Sequence, residues 1–61
     1  MNTLIQEVIG RYVEVRSQSG QYDYRDDGTL EACDGQWLKL KKGDETLYLP
    51  IVNIRLVKPL N

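Results

Sequence analysis

The chain has 61 residues, 28% of them charged, a formal net charge of −1 and one cysteine. So short a chain makes a single domain that buries only about 60% of the surface it exposes when unfolded, which leaves its stability marginal. Cys33 has no partner for an internal disulfide, there is no histidine to help ligate zinc, and the charge balance is not that of a plainly basic nucleic-acid binder.

By elimination, association with further copies is the support expected for so small a core. The free thiol fits a reducing cytoplasm. Met1 to Glu7 carry no basic leader or long apolar stretch, and no apolar run approaches the roughly 20 residues that span a bilayer, so a soluble intracellular protein is expected. The charge is unevenly placed. Residues 1–35 hold three arginines against seven carboxylates (net −4), and residues 36–61 hold five cations against two carboxylates (net +3). The two parts could form separate faces or pair across a subunit interface.

In chain order, Thr3 is a candidate N-cap, and Leu4, Ile5, Val8 and Ile9 recur at helical spacing, which predicts a short helix over 4–9 ended by Gly10. The period then becomes two. Val13 and Val15 alternate with Tyr12, Glu14 and Arg16 as a half-buried strand. Ser17 to Gly20 reads as loop, Tyr22 to Tyr24 extend a strand at most, and Arg25-Asp26-Asp27-Gly28 reads as a turn. Thr29 to Cys33 form the next strand, with Leu30 and Ala32 on one face. Asp34-Gly35 suits a tight hairpin with positive φ at both turn positions. The return strand, Gln36 to Lys41, sets Leu38 and Leu40 against Trp37, Lys39 and Lys41. After a second hairpin at Lys42 to Glu45, Leu47, Leu49 and Ile51 alternate with Tyr48, Pro50 and Val52. Ile54 and Leu56 then alternate with Arg55 and Val57, and Pro59 closes the strand. Pro50 marks a strand end, a bend or an edge.

A short N-terminal helix followed by five short strands with tight turns points to an all-β domain over 1–61, a small closed or nearly closed barrel. Gly28-Thr29-Leu30-Glu31-Ala32-Cys33-Asp34, continued by Trp37-Leu38-Lys39-Leu40, resembles the first motif of the Sm/LSm family, which includes the Hfq-type proteins. Ile9 to Val15 resemble the family's passage from helix into first strand, and Leu49 to Ile54 fall where the second motif should be. The resemblance implies an SH3-like (Sm-like) barrel, a ring-like homo-oligomer and RNA as ligand. Another SH3-like barrel is the rival fold. The family's base-contacting asparagine corresponds to Leu38 and its arginine-glycine pair to Pro50 and Ile51. The lysine-histidine pair of Hfq-type proteins corresponds to Leu49 and Pro50. These departures remove or remodel the usual base pocket, and the segment 17–27 looks long for the family.

Each candidate site has a plainer account. Trp37 could stack a base while Lys39 and Lys41 grip phosphates, but an indole covered by the helix or a neighbouring subunit, with solvated lysines, is preferred. Asp34 and Gln36 could bond a base edge, or Asp34 could cap its own turn, the preferred account. Asn53 and Arg55 complete the nucleic-acid candidates. Tyr22 to Asp27 read as a solvated turn before a recognition loop or a calcium site, and Cys33 reads as a small buried apolar residue. The candidate oligomer interface is Leu47, Tyr48, Leu49, Ile51, Ile54 and Leu56, because an edge strand of one subunit would pair with the next.

No histidine-dependent dyad or glycine-rich phosphate loop can be built, and the paired carboxylates fall in exposed turns. The expectation is therefore a non-enzymatic assembly or binding module without cofactor or metal. Its expected partners are its own copies and weakly held single-stranded RNA; the alternative is an adaptor docking a larger protein.

Overall fold

The computed structural model describes residues 4–60. A one-turn 3-10 helix (Ile5–Val8) leads into β1 (Tyr12–Ser19), β2 (Tyr22–Cys33), β3 (Trp37–Lys42) and β4 (Glu45–Pro50); a second such turn (Ile51–Asn53) precedes β5 (Ile54–Pro59). The strands form one antiparallel sheet in the order β4-β3-β2-β1-β5. Among the described residues β4 and β5 share no ladder, so the sheet is not closed into the expected barrel. Both remain edges facing an open seam.

The helix expected over 4–9 is a single tight turn, and its proposed cap Thr3 lies outside the described residues. Residues three apart eclipse in such a turn. Ile5 and Val8 therefore pack together against the core while Leu4 and Ile9 stay exposed.

The largest correction falls on residues 17–28. They are not a loop: β1 and β2 run through them as a long hairpin arm, paired from Tyr12↔Thr29 out to Ser19↔Tyr22. Only Gly20 and Gln21 turn the chain, with Gly20 at φ 61°, as a type II′ hairpin requires at its first turn position. The charges that read as a turn are matched across strands instead. Lys42 Nζ reaches Asp26 at 3.3 Å, and Arg25 Nη2 reaches Glu14 at 3.1 Å. The carboxylates are thus not confined to exposed turns. Glu14 is buried in β1, and Asp26 and Asp27 are half-buried in β2.

Two bulges re-aim side chains. Leu30 pairs with Leu40 and Ala32 with Lys39, which leaves Glu31 as an extra residue in β2. Leu30 is buried and Ala32 exposed, contrary to their expected common face. In β5, Arg16 pairs with Leu56 and Ser17 with Ile54, which makes Arg55 the extra residue. Ile54 and Val57 consequently face the core and Leu56 faces out, so the simple alternation expected there fails. The apolar alternation through Val52 also stops early, because β4 ends at Pro50 and Ile51–Asn53 coil into the second turn.

Val13, Val15, Leu30, Leu38 and Leu40 are fully buried, and Leu47, Leu49, Ile51, Ile54 and Val57 are partly buried around them. Cys33 is half-buried rather than buried. The Ile51 N–H donates to the Gln36 carbonyl at 2.9 Å. By antiparallel alternation, Leu49 and Leu47 then direct their backbone at β3, while Thr46, Tyr48 and Pro50 direct theirs outward. The Leu60 N–H donates to the Tyr12 carbonyl at 2.9 Å, so the backbone nitrogens of Val57 and Pro59 are likewise directed outward, away from β1. Each edge proline thus stands where the sheet needs no donor.

No helix among the described residues is long and apolar enough to cross a membrane.

Candidate nucleic-acid and assembly surfaces

Strand alternation in β3 buries Leu38 and Leu40 and turns Trp37, Lys39 and Lys41 to the opposite, outer face. The turn at Gly43 and Asp44 fixes the register that places Tyr48 beside Lys39 and Pro50 beside Trp37. Trp37 is 48% exposed and Tyr48 60% exposed, so among the described residues the indole is open to solvent rather than covered by the first helical turn. Lys39 Nζ contacts Glu31 at 3.6 Å, and Lys41 stands exposed opposite Thr46. An indole, a phenol and two ammonium groups therefore share one solvent-facing patch, with Glu31 as its ion-paired carboxylate.

Asp34 and Gln36 lie in the loop from β2 to β3, next to Trp37. Glycine φ is not positive here, so this is not the tight hairpin expected. Instead, Asp34 Oδ1 accepts hydrogen bonds from the Gln36 and Trp37 backbone N–H groups, each at 2.8 Å. Those two bonds hold the carboxyl below its ordinary value against a smaller opposing effect of burial. The neighbouring Cys33 thiol is pushed up, first by burial and then by the Asp34 charge, which disfavours the reactive thiolate.

Asn53 sits half-buried in the second helical turn. Arg55 lies on the β5 bulge, its Nε donating to Gln18 Oε1 at 3.4 Å. The seven nucleic-acid candidates thus divide. Asp34, Gln36, Trp37, Lys39 and Lys41 share the β3 region, while Asn53 lies in the second helical turn and Arg55 on β5, which β1 and β2 separate from β3 in the sheet.

Of the interface candidates, Leu47, Leu49, Ile51 and Ile54 turn toward the core along the seam, and Tyr48 and Leu56 face out. A cavity of about 610 Å³ opens between the first helical turn, residues 33–35, the second helical turn and β5, lined by Ile5, Leu38, Ile51, Ile54 and Val57, with Gln6, Cys33 and Asp34 among its polar lining. Val52, at the tip of the second turn, is 80% exposed.

Two features escaped the sequence reading. Tyr48 belongs to the aromatic patch, which a two-residue turn at 43–44 would have indicated by pairing it with Lys39. The buried Glu14 binds Arg16 Nε at 2.7 Å and Arg25 Nη2 at 3.1 Å; the Arg16 bond chiefly holds its carboxyl low, burial opposes, and Arg25 adds to the lowering. Strand alternation places Glu14 opposite Val13 and Val15 but says nothing of its burial.

Among the described residues no group of three histidine, cysteine or carboxylate side chains is arranged to hold a metal ion. No family model, curated protein or solved structure matches the chain.

Proposed function

We propose that the chain is an Sm-like, SH3-type subunit that assembles with copies of itself along β4 and β5 and acts as a non-catalytic binding module, holding single-stranded RNA weakly. The observation that carries this reading is the open seam. Two edge strands flank a row of half-buried apolar residues, Leu47, Leu49, Ile51, Ile54 and Val57, that a single copy leaves incompletely covered. Pairing β4 of one copy with β5 of the next satisfies both edges and covers that row. The resemblance of 28–40 to the first Sm motif points the same way, and the free thiol of Cys33 suits a cytoplasmic site of action.

For RNA, the support is the Trp37, Tyr48, Lys39 and Lys41 patch, where bases stack on the rings and phosphates meet the ammonium groups. Size-exclusion chromatography with light scattering, read at 260 and 280 nm, tests both parts. A closed oligomer supports assembly, and a 260/280 ratio still raised after a high-salt wash supports RNA. A monomer at micromolar concentration overturns assembly, and no shift of any RNA homopolymer at low salt overturns RNA binding.

One observation favours a second reading, a protein adaptor. Tyr22 and Tyr24 are exposed on the same face of the β1–β2 arm. Capture from cell extract of one stoichiometric protein without nucleic acid would select it.

A further inference from the structure

Arg16 and Arg25 are direct cross-strand partners on the outer face of the β1–β2 arm. Like charges opposed in this way ordinarily cost stability. Here both are held by Glu14, which is only 6% exposed and spends one oxygen on each guanidinium. The β5 bulge brings Arg55 to the same place, tethered to Gln18 on the arm. Arg16, Arg25 and Arg55 line one pocket of about 330 Å³, together with Ser17, Tyr24 and Asp23.

Glu14 engages Nε of Arg16 and Nη2 of Arg25, so each planar fork keeps further N–H donors. Both arginine side chains are more than half exposed. Lys58 stands opposite Glu14 in the β1–β5 ladder. The face therefore carries Arg16, Arg25, Arg55 and Lys58 against Glu14, Asp23 and Asp27, a surplus of one cation on a chain whose net charge is −1.

We propose that this pocket seats a phosphate-sized oxyanion. Guanidinium forks match the oxygens of such a group, and charge-assisted hydrogen bonds of this kind are short and strong. Glu14 lies behind the arginines as the positioning residue: it holds two forks side by side against their mutual repulsion before any anion arrives. All residues of the site come from one copy, and none of them belongs to the Trp37 patch.

The test is an NMR titration with inorganic phosphate at constant ionic strength, following the arginine Nε–H signals. Saturating shifts confined to Arg16, Arg25 and Arg55 are expected. Arg55→Ala, on an exposed bulge away from the core, should weaken phosphate binding about tenfold, and Asp23→Asn should strengthen it. Shifts that rise linearly without saturating, or an unchanged titration in Arg55→Ala, overturn the proposal. Two oligonucleotides, one 5′-phosphorylated and one not, then separate the sources. Tighter binding of the phosphorylated strand, lost in Arg55→Ala, assigns the seat to a chain-borne phosphate. Equal binding of the two strands, with saturable inorganic phosphate retained, assigns it to the free ion.

Discussion

Gly28 approaches the backbone of Lys41 so closely that a Cβ added to it would stand 2.5 Å from the Lys41 carbonyl oxygen and 3.1 Å from Leu40 Cγ. Backbone cannot swing aside as a flexible side chain can, so β2 and β3 must separate to admit even a methyl group. Gly28→Ala is expected to cost about 1–3 kcal/mol, the usual range for overpacking, measured by urea denaturation. Gly35→Ala meets nothing within 4 Å and should fall within about 0.5 kcal/mol of the parent. Equal effects at the two positions would refute the close approach as the cause.

The aromatic patch predicts a division of labour in RNA binding. Trp37→Ala should weaken a single-stranded homopolymer about tenfold, with secondary structure unchanged, because a base loses its stacking partner. Lys41→Ala should instead lower the slope of log affinity against log salt by about 0.7, the contribution of one phosphate contact on a single strand. Fluorescence anisotropy across a salt series reads both effects. A Trp37→Ala protein that binds as the parent does would remove RNA from this face.

The edge geometry offers a clean perturbation of assembly. The Thr46 N–H points away from β3, so Thr46→Pro removes an outward donor and spares the internal ladder. Light scattering should then show a smaller species, while circular dichroism keeps its strand signature. An unchanged mass would exclude β4 as an assembly edge.

Acid should destabilise the fold at a defined place. Glu14 and Asp34 both have carboxyls held below their ordinary values, Glu14 first by the Arg16 hydrogen bond and Asp34 first by the Gln36 N–H. A depressed folded-state value gives stability that is complete above the unfolded-state value, about 4. That stability is lost as pH falls through the lower folded-state value. Stability measured from neutral to acid pH should decline over this window, and Asp34→Asn, which keeps an oxygen acceptor for the turn, should flatten part of the decline. If the variant keeps the parent's acid slope, the pH dependence arises elsewhere.

β1, β3 and β4 were legible because Val13 and Val15, Leu38 and Leu40, and Leu47 and Leu49 each alternate with polar neighbours. The same alternation placed Trp37, Lys39 and Lys41 on one face. The arm was not legible. Arg25 and Asp26 look like turn chemistry until their partners are known, and those partners, Glu14 and Lys42, lie on other strands. The bulges at Glu31 and Arg55 leave no local mark, yet each decides which side chain meets the core. Closure was equally hidden, because it depends on how far the whole sheet coils rather than on any one segment. The remoteness of Arg55 from the β3 candidates follows from strand order, which a linear reading cannot supply.

Pro50 and Pro59 give each exposed margin of the sheet a built-in stop. A neighbouring chain aligned with either margin finds a few willing donors and then a position that offers none. Such docking is short by construction. It favours a reversible joint between discrete copies and works against the open-ended stacking from which fibrils grow.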